Sequence, residues 1–298
     1  MANIEHLTRL KQGAASWLNW LDSQQQPEIN LIDANLRGIN LTAAYLVKAH
    51  LCGADLRSTL LEKANLTGAN LCSAQLFDVR GRKANLTGVN LQSANLTDAD
   101  FSRANFIGSD LRLIFGSGAN FTQANLIGTS LRQAKLSLAN FSQAKLNRAN
   151  LSETDLTQAS FDRADLSGAN LFEAELQSAS FYQANLTGVK AVSTHLSHSY
   201  LLESSLESAS LVGCDLRWSN LSYARMQHAD LQHAKLRGAN LANVDLTGAN
   251  LAGANLRGAN LKGANLSQAN LTDADIEDAI FDRAKLTAIT MPDGTRHY

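Results

Sequence analysis

The sequence predicts an all-β solenoid that turns a corner every five residues, and three observations carry that prediction. From residue 31 to residue 286 every fifth position is a centre, 52 in one unbroken register; 40 are Leu, seven are Phe, and Met226 and Ile276 are single substitutions. Gly81, Gly116 and Ala191 break the apolar rule. Two residues before each centre, 36 of the 52 positions are Ala, and the rest are Ser, Thr, Val, Ile or Cys. Residues 239–269, ANLANVDLTGANLAGANLRGANLKGANLSQA, repeat the unit without interruption: small residue, Asn or Asp, Leu, then two variable and mostly polar residues. A period of five fits neither the 3.6 of a helix nor the 2 of a flat strand. A chain that bends at every unit can keep each Leu and each small residue inside and send the other three outward. The inner corner position must be small because a larger side chain there would overpack a narrow interior.

On these residues the chain resembles the pentapeptide-repeat family over about residues 29–291. The resemblance implies a right-handed quadrilateral parallel β-helix, about 13 coils of 20 residues, with a short N-terminal capping α-helix. The leader LKQGAASWLNW and the ending MPDGT are similar to those of cyanobacterial-type members of the family. The expected organisation is an N-terminal helical cap and linker over 1–28, the repeat over 29–291 and a C-terminal tail over 292–298.

Residues 3–22 place Ile4, Leu7, Leu10, Ala14, Trp17, Leu18 and Leu21 at spacings of three and four, one face of an amphipathic helix. A parallel solenoid leaves its first coil with an unpaired edge, and repeat arrays need polar-faced caps. The helix is therefore read as the cap, in preference to a partner-binding helix. Pro27 separates it from Ile29, where the repeat begins.

Coils stack about 4.8 Å apart, so residues 20 apart lie above one another. Phe101, Phe121, Phe141, Phe161 and Phe181 then form one internal ladder, a packing feature rather than a binding box. Outside, Arg217, Arg237 and Arg257 share a wall with the column Lys135, Asp155, Glu175, His195, Asp215 and Lys235. Mixed sign predicts a solvated, self-compensating face, with an anion site as the alternative. Cys52 and Cys72 lie outward and one coil apart, within the roughly 4.4–6.8 Å that a disulfide spans, but a reducing cytosol would keep them as thiols. Cys214 takes an inward position, where an inert buried thiol is expected.

Function is sought where the repeat departs from its own rule. Short departures flank Gly81 and Gly116. A broader one spans 172–223, where inward positions become Thr194, Ser199, Ser204, Cys214 and Ser219, and outward positions turn apolar or aromatic. Phe172, Tyr182, Val192, Tyr200, Leu202, Val212, Trp218 and Tyr223 are the candidate interaction patch, against the alternative of a tolerated irregularity. After Met291, Pro292 cannot donate to a ladder and Asp293–Gly294 is turn chemistry, so the register ends there.

Charge excludes several functions. With 26 basic and 27 acidic residues the formal net charge is −1, which lacks the field of a nucleic-acid binder or of an acidic mimic. No run approaches 18 apolar residues, and the first 11 residues carry charges where a signal peptide has its apolar core, so a cytoplasmic location is expected without a membrane span. Neither a metal-ligating cluster nor a catalytic triad emerges from the seven His and three Cys, and no cofactor is expected. The leading reading is a non-enzymatic scaffold or protein–protein interaction module with an unknown protein partner, as a monomer or weak end-to-end dimer. The alternative comes from family members that mimic duplex DNA and bind type II topoisomerases; balanced charge disfavours it.

Overall fold

The computed structural model describes residues 1–24 and 27–297. It divides into two compact units, Met1–Asn150 and Leu151–Tyr298.

One five-residue unit shows how the sequence builds both. The residue before each centre bridges in parallel to the residue 20 further on, as in His50 to Asn70 and Asn220 to Asn240. The centre's N–H donates up the ladder (Leu51 to the Asn70 carbonyl, 2.7 Å), and the bridge residue donates down (Asn70 to the Ala49 carbonyl, 2.9 Å). A β-turn follows each centre: Ala54 donates to the Leu51 carbonyl at 3.1 Å across Gly53, whose φ is +68°. A positive φ at the third turn residue is the type II geometry. The Asn or Asp before the centre supports that turn, since its Oδ1 accepts from the N–H two residues on, as Asn120 does from Thr122 at 3.0 Å. Each bridge is one residue long, so within each unit the ladder runs from coil to coil without extended strands.

In Met1–Asn150 the cap consists of two helices, not one: α1 (Ile4–Lys11) and α2 (Ala14–Asp22). Gly13, at φ +104°, breaks the predicted continuous helix in a conformation that side-chain-bearing residues rarely adopt. The break redirects the apolar face. Leu10 and Trp17 are buried, whereas Ile4 is 81% exposed and Leu18 is also exposed; the Ala14 side chain lies outside the described residues. Asn3 caps α1 by accepting from the Glu5 and His6 N–H groups. The cap then closes the first bridge residue from both sides. Asn3 N–H donates to the Asn30 carbonyl at 3.0 Å, and the Asn30 N–H donates to His6 Nδ1 at 3.2 Å. Trp17 Nε1 adds a bond to the Tyr45 carbonyl at 2.7 Å.

The interior of this unit explains the glycine centres. Phe121 and Phe141 stack with centroids 5.0 Å apart, and Phe106 meets Phe101 and Phe121 edge-on. The Phe101 ring occupies the space a Cβ on Gly81 would need, and a Cβ on Gly116 would come within 2.9 Å of Leu136 Cδ2. At both departures a neighbouring side chain takes up the space that a larger centre would need. Cys52 and Cys72 are joined as a disulfide with Cα atoms 4.7 Å apart, which corrects the expectation of free thiols. The stacked coils bring the pair within bonding reach, and compartment was the argument against it.

In Leu151–Tyr298 Phe161 and Phe181 repeat the 5.0 Å stack. The inward Ser, Thr and Cys side chains of the 194–219 stretch are buried and satisfied: Thr194 bonds the Leu171 carbonyl, Cys214 the Ala191 carbonyl, and Ser199, Ser204 and Ser219 the carbonyls of Leu196, Leu201 and Leu216. The interior therefore tolerates these letters at no unsatisfied polar cost. The chain ends in a fold-back, with Met291 donating to Thr295 and His297 to Ile289 around Gly294.

Candidate interaction surface

The candidate residues all sit at outward turn or bridge positions of Leu151–Tyr298, where the five-residue pattern imposes no apolar demand. Phe172, Val192 and Val212 form one row: Glu173 donates to the Val192 carbonyl at 3.2 Å and Ser193 to the Val212 carbonyl at 2.9 Å. Phe172 is exposed, and the two valines are half-buried. Tyr182 and Leu202 form a second row ten residues further along the chain, with Gln183 donating to the Leu202 carbonyl at 3.0 Å. Tyr200 lies beside this second row, its ring 6.4 Å from that of Tyr182, and Arg163 sits 5.8 Å over the Tyr182 ring. Trp218 and Tyr223 lie at the third position of two consecutive turns and are the most exposed of the set, at 56% and 58%. The structure thus brings Tyr182 and Tyr200 together beside Leu202, and sets Phe172, Val192 and Val212 in an apolar row of their own.

Charge on the Trp218 wall is largely spent. Arg217 donates from Nε to Asp215 Oδ1 at 2.8 Å and from Nη2 to Oδ2 at 2.5 Å. That side-chain bond to Arg217 is the main reason the Asp215 carboxyl is held below the usual carboxylate range, and Lys235 adds a smaller effect. Arg257 pairs with Glu277 and, at 3.8 Å, with Asp275. His195 Nδ1 is 2.8 Å from Glu175. Burial pushes the Cys214 thiol up to about 12, as an inert core residue requires.

Sequence reasoning missed how Trp218 is held. Its six-membered ring (Cζ3 and Cε3 nearest) fills the space that a Cβ on Gly238, in the next coil, would take. The same relation recurs for His228 over Gly248 and His233 over Gly253. The signal was present as a large turn residue followed, 20 positions on, by Gly. Beyond Trp218 a cleft of about 180 Å³ opens, lined by Trp218, Arg237, Gly238, Arg257, Gly258 and Asp278. In the other unit a larger cleft of about 510 Å³ lies among Leu21, Ile29, Tyr45, Val47, Lys48 and His50. Among the described residues, no group of three His, Cys, Asp or Glu is placed to hold a metal ion, and no helix is long and apolar enough to cross a membrane.

The model of the family "Pentapeptide repeats" matches in eight copies, at residues 34–72, 82–113, 117–152, 149–188, 190–222, 199–238, 224–263 and 249–287. Among solved structures the chain is similar to HetL, a pentapeptide repeat protein involved in heterocyst differentiation regulation from the cyanobacterium Nostoc sp. Strain PCC 7120. The identity is 37% over 70% of this chain and 92% of that one, with a TM-score of 0.42. QnrB1, a plasmid-mediated fluoroquinolone resistance protein, is 21% identical over 64% of this chain and 90% of that one, with a TM-score of 0.37. Rfr23 from the cyanobacterium Cyanothece 51142 is 31% identical over 39% and 58%, with a TM-score of 0.15. No curated protein matches the chain.

Proposed function

Because the chain belongs to the pentapeptide-repeat family, whose fold is a right-handed β-helix, we propose that it is a non-enzymatic, rigid scaffold or protein–protein interaction module of the cytoplasm, related to the cyanobacterial-type members with a helical cap and an MPDGT ending. In this reading the repeat is quadrilateral, with 20 residues to a coil, and the molecule is a monomer or weak end-to-end dimer. The observation that carries the proposal is the exposure of Tyr200, Trp218 and Tyr223 in one short stretch of a chain whose outward positions are otherwise mostly small, polar or charged. Outward letters do not set the register, so the repeat itself does not call for aromatics there. Interface cores are enriched in Tyr and Trp.

The bland alternative, that 172–223 is a structural irregularity, is weakened by the satisfied hydroxyls beneath it. Replacing Tyr200, Trp218 and Tyr223 together by Ser should leave the melting temperature within a few degrees and abolish capture of partners from a lysate of the native organism. A large loss of stability, or unchanged capture, would sink the interaction reading.

A further inference from the structure

We propose that the cleft beside Trp218 is the seat for an acidic segment of a partner protein, one that lays an apolar side chain on the Trp218 ring and sets a carboxylate against Arg237. This rests on the interaction reading above and names the chemistry of the partner. Three observations carry it. First, the Trp218 ring packs into the space left by Gly238 with more than half its surface open, a positioned platform that loses little entropy when covered. Second, of the three stacked arginines, Arg217 is committed to Asp215 and Arg257 to Glu277 and Asp275, while Arg237 makes no ion pair among the described residues. A guanidinium with its fork free, at the wall of a cleft, favours a planar carboxylate. Third, the backbone fixes their order: Trp218 N–H donates to the Arg237 carbonyl at 3.1 Å and Gly238 N–H to the Arg257 carbonyl at 2.9 Å, so platform and cation occupy adjacent coils.

The cleft's size and its far end restrict the occupant further. A volume of about 180 Å³ admits a side chain rather than a free cofactor. Gly258 leaves the floor bare, with open space above it, and Asp278 closes the end opposite Trp218. A second carboxylate is repelled there, so the segment's negative charge is confined to the Arg237 side. The same carboxylate argues against single-stranded nucleic acid, which would need a continuous track of unspent cations along its phosphates.

The test uses the full chain and fluorescence anisotropy of a fluorescein-labelled peptide, Glu-Glu-Phe-Glu-Glu, with Lys-Lys-Phe-Lys-Lys and an oligothymidylate as the other probes. The acidic peptide should bind and weaken as salt is raised. Arg237→Glu should weaken it at least thirtyfold and Trp218→Ala about tenfold, whereas Asp278→Asn should tighten it about threefold. Arg37→Glu, on the other unit, should change nothing. Melting curves of each variant check that the fold is kept. Tighter binding of the basic peptide or of the oligonucleotide, or acidic-peptide binding indifferent to Arg237→Glu, overturns the proposal. Those results would leave lysate capture through Tyr200 and Tyr223 intact, so this inference can fail while the interaction reading stands.

Discussion

At the residue scale, the cost of the fold is concentrated in the third turn position. Most of these positions are not glycine yet hold φ near +58°, as Gln123 and Glu153 do, a conformation that disfavours a Cβ by roughly 1–2 kcal/mol per residue. Gly128, at φ +65° with only open space within 4 Å of where a Cβ would sit, isolates that backbone effect. Gly128→Ala should lose about 1 kcal/mol in urea unfolding, and Gln123→Gly should not lose stability. Inside, Phe141→Ala should cost about 3–5 kcal/mol as a deleted buried ring, while Thr122→Ala, at a half-buried outward position, should stay within about 0.5 kcal/mol. A further device is the Asp-Leu-Arg unit at 55–57, 110–112 and 215–217, where one carboxylate accepts from both the backbone and the guanidinium of the same arginine. All three carboxyls are held below their ordinary value, chiefly by that arginine side chain. A lowered folded-state value means the stabilisation is present above the unfolded carboxylate value and is lost as pH falls through the folded one. Replacing Asp55, Asp110 and Asp215 by Asn should therefore flatten the acid limb of a stability-versus-pH curve and leave its neutral-to-alkaline limb unchanged in slope.

At the element scale, the cap and the disulfide secure the start of the repeat. Trp17 is fully buried and stacks on Trp20 at 5.0 Å, while its Nε1 holds the Tyr45 carbonyl. Trp17→Ala should cost about 3–5 kcal/mol and, by uncovering the first coil's edge, increase association in light scattering. The Cys52–Cys72 bond closes a loop with a sequence separation of 20, for which chain entropy predicts about 3 kcal/mol. Reduction, or Cys52→Ser with Cys72→Ser, should lower the melting temperature by that equivalent and leave the far-ultraviolet spectrum native. The sequence located the cap's apolar residues but joined them into one helix, because spacing alone carries no record of Gly13 adopting φ +104°. It also placed the two cysteines one above the other, yet favoured thiols on an argument about compartment, which sequence geometry cannot decide.

At the scale of the whole chain, charge selects among functions. A formal net charge of −1, with arginines interrupting the outward rows, does not supply the acidic field that would draw a DNA-binding enzyme. The purified protein should leave DNA supercoiling by gyrase unchanged in a gel assay, even at a large molar excess. By itself the sequence determined the fold's period, the inward and outward assignment of each letter and the partners in the ladder, because a strict five-residue repeat leaves one way to bury every Leu and small residue together. From the same arithmetic it found Trp218, Tyr200 and Tyr223. Only the tertiary structure decided what the side chains rest on: the Phe101 ring filling the place of a missing Gly81 side chain, Trp218 packed against Gly238, and Arg237 left without an ion pair among the described residues while its stacked neighbours are committed. Register fixes which residues are neighbours, but the rotamer each side chain takes, and which of several nearby charges it pairs with, depend on the space and the competing partners that the folded coils present.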